Sequence, residues 1–285
     1  MFTEEMLTDV RCPKCTTESL GSHTSEHKGA NIITGTLQCA RCDTEFQILG
    51  GVPDLVPWNA LSDEWKLWSD HLAGFEARRK WRDKHPDRFA TKITHHSGSL
   101  QDAFAAFTKI EEGAILDIGC GPGNFRNCFA NRPVDYWGVD PLPLPESEHF
   151  RFARAVAEYL PFRDGMFTDV VVMAAMDHFQ DVGAFCDETV RVLAPGGRLH
   201  IVQSVHDVHG PVTAVKAAAH WVKDRMETEA TTTLNKTAPK HMTEFDGDSL
   251  RHAMDLRFEI TEESKYSKRW YSPDNMFVTM VPRSS

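Results

Sequence analysis

The run Ala114-Ile115-Leu116-Asp117-Ile118-Gly119-Cys120-Gly121-Pro122-Gly123-Asn124-Phe125 decides the fold. Its first five residues read as a short buried strand, and the three glycines that follow read as a tight turn leading into a helix. Glycine lets the backbone approach a ligand closely and adopt angles that a side chain forbids. Taken alone the G-x-G-x-G is weak, because dinucleotide-binding turns look similar. Working outward, Val134-Asp135-Tyr136-Trp137-Gly138-Val139-Asp140 reads as a second strand that ends in an acid. Asp169-Val170-Val171-Val172-Met173-Ala174 reads as another, with Met176-Asp177-His178-Phe179 just past its end. Arg191 to Val202 then reads as helix, turn and strand, its Pro195-Gly196 pair suiting a type II turn. Strands alternating with helices over 111–204 predict a parallel α/β sheet.

These strings, in this order, resemble the motifs of class I S-adenosylmethionine (SAM)-dependent methyltransferases, and most nearly those of ubiquinone and menaquinone biosynthesis. The resemblance covers residues 114–202. It implies a Rossmann-like α/β fold with a seven-stranded, mostly parallel sheet. The last strands would be Phe258–Glu263 and Met276–Val281, the latter antiparallel. It also implies site roles. Asp117 would orient the amino-acid end of SAM, and Gly119, Cys120, Gly121 and Gly123 would pack beside the methionine part. Asp140 would take both ribose hydroxyls as donors, which suits an acceptor-only carboxylate. Ala157, Glu158 and Met173 complete the expected cofactor contacts, the first two in the Ala157-Glu158-Tyr159-Leu160-Pro161-Phe162 string beside the adenine. One position departs from the subfamily. Where it carries an aspartate that binds the adenine amino group, this chain has Val156, so adenine recognition would rest on backbone groups and apolar packing.

For the methyl acceptor, absences are informative. No Asn/Asp-Pro-Pro-Tyr and no Pro-Cys follow the fourth strand, which argues against amide, exocyclic amino and cytosine-carbon methylation. His178 is the best candidate general base, because its intrinsic pKa suits proton transfer near neutrality. Asp177 could orient it or bind a substrate hydroxyl, and His241 is a second candidate. A pocket-shaping histidine is the plainer alternative for His178. Methyl transfer to a small-molecule or glycan hydroxyl or amine is the expected function. An rRNA guanine methyltransferase and a non-catalytic binding module are the alternatives.

Upstream, Cys12-Pro13-Lys14-Cys15 and Cys39-Ala40-Arg41-Cys42 pair two CxxC knuckles. Two such knuckles can complete a tetrahedral thiolate shell around structural Zn²⁺, with no position open for chemistry. Leu37, Phe46 and Ile48 alternate as strand residues packing over the metal. Residues 6–57, through the Gly50-Gly51-Val52-Pro53-Asp54-Leu55-Val56-Pro57 ending, resemble the zinc-ribbon family that activates tRNA and protein methyltransferases. The resemblance implies a protein partner or homo-oligomer contact through the ribbon, or a fused ribbon that makes a separate partner unnecessary. The expected organisation is a zinc ribbon at 1–57, a helical linker or cap at 58–110, and the SAM-dependent domain at 111–285 with a helical insertion at about 205–245.

Bulk chemistry narrows the partners. The chain carries 31 basic and 41 acidic residues, a net charge of -10, which counts against a nucleic-acid phosphate backbone as ligand. The apolar run Val170 to Met176 is too short to span a bilayer. Seven cysteines, four of them in CxxC pairs, suit a metal in a reducing compartment, and a cytoplasmic location is expected.

Overall fold

A strand buried on both faces needs a continuous apolar run, and Ile115, Leu116 and Ile118 supply it for β5 (Gly113–Ile118). Val170, Val171 and Val172 do the same for β8 (Phe167–Met173). A computed structural model describes residues 1–58, 73–74, 99–142, 150–205, 243–266 and 274–283. Around β5 and β8 it assembles β6 (Val134–Val139), β7 (Arg151–Ala153), β9 (Leu193–Val205), β10 (Phe258–Tyr266) and β11 (Asp274–Pro282). Their order is β10-β11-β9-β8-β5-β6-β7. The pairs β5–β6, β6–β7, β5–β8 and β8–β9 are parallel, and β11 runs antiparallel to both neighbours. The mixed seven-stranded Rossmann-like sheet is thus the expected one. Its chain order reverses between β5 and β8, where open α/β sheets bind their ligands.

Two layers cover the sheet. On one face lie α1 (Leu100–Thr108) and a 3₁₀ turn at Asn124–Phe129, packed through Phe104, Phe125 and Phe129. Ser99 and Asp102 cap the start of α1 reciprocally. On the other face lie α2 (Val182–Val192) and α3 (Gly247–Asp255), packed through Phe185, Leu250 and Met254. The helix expected after the glycine turn is a short 3₁₀ helix. Only a short connection is available before Pro133 and β6, and burying Phe125 and Phe129 together uses it fully. Pairing of β9 likewise begins earlier than expected, at Leu193 opposite Phe167, so that Pro195-Gly196 sits in an irregularity within the strand. Gly196 has φ 78.

The N-terminal segment folds as a second sheet of β1 (Leu20–Lys28), β2 (Asn31–Cys39), β3 (Glu45–Leu49) and β4 (Val52–Pro53), all antiparallel in chain order. The long β1–β2 hairpin accounts for the wide spacing between the two CxxC pairs. This sheet does not have a core of its own. Phe2, Val10, Ile32, Leu37, Phe46, Ile48 and Leu55 belong to one buried cluster with Leu116, Trp137, Ala153 and Phe162 of the larger sheet. Backbone pairing joins them as well. Val10 bridges Phe162, and Asp54 bridges Arg154 beside the edge strand β7. Arg11 N–H donates to Pro161 O at 2.9 Å, and Leu55 N–H to Arg154 O at 2.8 Å.

The expected helical cap at 58–110 is described only at 58, at 73–74 and from 99 onward, and the insertion at about 205–245 only at its two ends. His241 lies outside the described residues. Among the described residues no helix is long and apolar enough to cross a membrane.

Candidate active site and cysteine centre

The carboxyl ends of β5 and β6 bring the glycine turn and two acids together. Gly119 N–H and Cys120 N–H both donate to Val139 O, at 2.8 and 3.1 Å, which lashes the turn to the end of β6. Asp140 then follows. Its Oδ2 accepts from Gly121 N–H at 2.9 Å and its Oδ1 from Leu142 N–H at 2.8 Å. The carboxylate is therefore held in place by the loop it faces. Two glycines are needed for shape. Gly119 has φ 71, and a Cβ there would lie 2.5 Å from that of Ala175. Gly123 has φ 75, and its Cβ would enter the Phe150 ring at 2.1 Å.

Asp117 is buried beneath the turn, and Tyr136 of β6 donates its phenol O–H to Asp117 Oδ2 at 2.5 Å. Burial drives the Asp117 pKa up to about 7, against the Tyr136 bond that lowers it and with Asp140 adding to the rise. Cys120 is likewise pushed well above the ordinary thiol range by burial and by the charges of Asp117 and Asp140, which leaves it a neutral packing group.

The turn after β8 forms the opposite wall. Ala174 takes the left-handed φ of 49, an unusual cost for a residue with a Cβ, and its N–H donates to Val202 O at 2.7 Å. Met173 ends β8 half-buried, and a 3₁₀ turn at Met176–His178 follows. His178 Nε2 lies 3.8 Å from Asp177 Oδ1, a neighbouring but loose pairing. Thr243 N–H donates to Asp177 O, tying the chain before α3 to this wall.

In the expected adenine-side string, Glu158 Oε1 accepts from Gln180 N–H at 2.6 Å and Asp181 N–H at 3.2 Å. It pins the wall bearing His178 to the buried 155–157 string. Burial raises the Glu158 pKa to about 7, outweighing those two backbone bonds. A carboxyl whose folded pKa exceeds its unfolded value stabilises the fold below the unfolded value, and that contribution is lost as pH rises through the folded one. Stability should therefore decline between about pH 4.5 and 7 from this group, and Glu158→Gln should flatten that decline. Urea midpoints measured across the range check it.

Sequence reading missed Arg154. Its guanidinium pairs with Asp54 of the N-terminal segment and donates to Pro141 O at 3.1 and 2.9 Å, one residue beyond Asp140. It also missed Arg11, which meets Asp164 at 3.0 Å, while Arg191 clamps Leu160 O, Phe162 O and Glu188 around the same loop. Only the charges themselves were visible in the sequence.

At the far end of the N-terminal sheet the four cysteine sulfurs lie within 4.8 Å of one another. Both knuckles close alike. Thr16 N–H donates to Cys12 O and Asp43 N–H to Cys39 O, and Thr16 and Asp43 take φ of 63 and 52. Cys12 and Cys42 sulfurs are 3.8 Å apart, and those of Cys15 and Cys39 are 3.5 Å apart. Tetrahedral Zn–S bonds of about 2.3 Å require S···S near 3.8 Å, so the set fits a zinc ion.

Residues 116–201 match the family described as "Methyltransferase domain". The seven-stranded sheet that carries this match has the class I methyltransferase fold. Tocopherol O-methyltransferase of Arabidopsis thaliana is 33% identical over 169 residues, 52% of this chain and 48% of that protein. The chain spans about half the length of the curated relatives it matches. Among solved structures, the Burkholderia thailandensis 1,6-didemethyltoxoflavin-N1-methyltransferase, bound to 1,6-didemethyltoxoflavin and S-adenosylhomocysteine, is similar with TM-score 0.53 and 13% identity. That match covers 93% of this chain and 99% of the other. A Haloferax volcanii complex between the Trm112 methyltransferase activator and a methyltransferase is similar with TM-score 0.51 and 16% identity, covering 78% and 97%. At these identities the likeness concerns the fold of the methyltransferase domain.

Proposed function

We propose that the chain transfers the methyl group of SAM to a hydroxyl or amine of a small molecule or glycan. The observation that carries this reading is the pair of carboxylates, Asp117 and Asp140, ending adjacent strands on either side of a left-handed glycine turn at the sheet's switch point. When bound, SAM supplies an electrophilic methyl on a sulfonium. Asp140 would hold the ribose hydroxyls, Asp117 the amino group, and Ala157 with buried Val156 would flank the adenine through backbone and apolar contact. The acceptor's oxygen or nitrogen would take that methyl, with the broken carbon–sulfur bond leaving its electron pair on sulfur. His178, oriented by Asp177, takes the acceptor's proton. The tocopherol and toxoflavin enzymes support a small-molecule acceptor, and the net charge of -10 counts against RNA.

Cys12, Cys15, Cys39 and Cys42 hold structural zinc in this reading, and the location is cytoplasmic. Docking of the ribbon against its own methyltransferase domain supports its acting for this chain as a free-standing activator acts for a partner.

Calorimetric titration of the zinc-loaded protein with S-adenosylhomocysteine tests the reading. Micromolar binding is expected. Asp140→Ala should weaken it at least about 100-fold, since charge-assisted hydrogen bonds contribute roughly 1.5–3 kcal/mol each. Absence of binding in folded wild-type protein would overturn the proposal.

A further inference from the structure

Asp117 presents a buried polar imbalance. It is 1% exposed, its Oδ2 is taken by Tyr136, and its Oδ1 has no hydrogen-bond partner. An unpaired buried acceptor is costly, and at the end of β5 beneath the glycine turn this one is placed to be completed by a ligand. Tyr136 reaches this carboxyl because of a gap. The residue directly opposite Asp117 on β6 is Gly138, and Tyr136 lies on the same face of β6 as Gly138. Any side chain at Gly138 would strike Cys120 Sγ at 2.8 Å and Phe150 at 2.6 Å. The Tyr136 ring is itself fixed edge-on to Phe150 at 5.9 Å and lies 6.3 Å from Phe129, with the Arg126 guanidinium 5.7 Å from its centroid.

We propose that Tyr136 is a positioning residue for the cofactor: its phenol holds Asp117 by Oδ2 so that Oδ1 receives the cofactor's α-ammonium group. The inference rests on the SAM reading above. Nothing covalent changes; the ammonium donates one hydrogen bond to an oxygen that otherwise lacks one. The charged and titratable groups around Asp117 are Tyr136 from β6, Asp140 beyond the end of β6, Cys120 from the glycine turn, and Arg126 of the 3₁₀ turn over the tyrosine ring. Burial and the Asp117 charge hold Tyr136 well above its ordinary range, so it stays a donor at every working pH. Asp117 needs its charge to bind an ammonium, and it ionises at about 7. Affinity for an ammonium-bearing ligand should therefore climb through neutrality and level off above it.

The test is calorimetric titration of zinc-loaded wild type and Tyr136→Phe from pH 6 to 8.5. One probe is S-adenosylhomocysteine; the other is 5′-methylthioadenosine, which lacks the amino-acid end. Phenylalanine keeps the ring packing and removes the bond that favours the Asp117 carboxylate, so the midpoint of the pH–affinity curve should move upward by about one unit. That corresponds to roughly fivefold weaker S-adenosylhomocysteine binding at pH 7, approaching about tenfold at pH 6. Methylthioadenosine affinity should be the same in both proteins and flat with pH. Equal loss for both probes with an unmoved midpoint would make Tyr136 a packing residue and overturn the inference. Wild-type protein that binds neither probe would overturn the SAM reading itself.

Discussion

Stripping the metal from the four-cysteine centre should unfold the whole chain in one transition. Structural zinc contributes apparent free energies of about 10–16 kcal/mol in small zinc modules, comparable with the entire stability of an ordinary domain at about 5–15 kcal/mol. In a chain with two separate cores that loss would stay local. Here Cys12 and Cys39 lie in the same buried cluster as Trp137, Phe162 and Ala153, so the ribbon cannot melt without opening the face of β6 and the edge of β7. Thermal melts by circular dichroism, with and without a strong chelator, read this directly. A single transition lowered by tens of degrees is the expected result, and Cys39→Ser should reproduce it without chelator. Persistence of the seven-stranded sheet as a second, unshifted transition would mean that the two sheets fold separately.

Gly119→Ala should have the second-largest effect. The position has φ 71, which costs an alanine about 1–2 kcal/mol. The added methyl would also sit 2.5 Å from the Ala175 methyl, which belongs to the wall after β8. Relief requires the glycine turn and that wall to part, and the turn is lashed to Val139 O by two N–H groups. A loss of about 2–4 kcal/mol in folding free energy is expected, together with at least tenfold weaker S-adenosylhomocysteine binding. The double variant with Ala175→Gly removes the clash and leaves the backbone cost. It should recover more than half of the stability loss, and a double-mutant cycle from urea unfolding measures the coupling. Strict additivity would show that the methyl contact is not the cause.

The glycine turn was legible in the sequence because its demand is local. Left-handed angles at Gly119, Gly121 and Gly123 have few other solutions, and the apolar runs of β5 and β8 have the length and composition of strands covered on both faces. The cysteine knuckles were legible for the same reason, since four thiols in two CxxC pairs leave little choice of geometry. What escaped depends on residues far apart in the chain. Arg154 meets Asp54 across about 100 positions and Arg11 meets Asp164 across about 150, and no periodicity records such pairings. The bonds from Gln180 N–H and Asp181 N–H to Glu158 escaped for the same reason, since they join segments about 20 positions apart. The helix after the glycine turn was legible, but its 3₁₀ form at Asn124–Phe129 was not, because so short a run carries no period that separates the two.

The shared core also fixes an order of events during synthesis. All four cysteines have been made by residue 42, yet the surfaces that bury Val10 and Leu55 are completed only when residues 137–162 emerge. At about 5–20 residues per second the ribbon waits roughly 5–25 s with its apolar side uncovered. Metal capture by the four nascent thiols would be the stabilisation available to it in that interval.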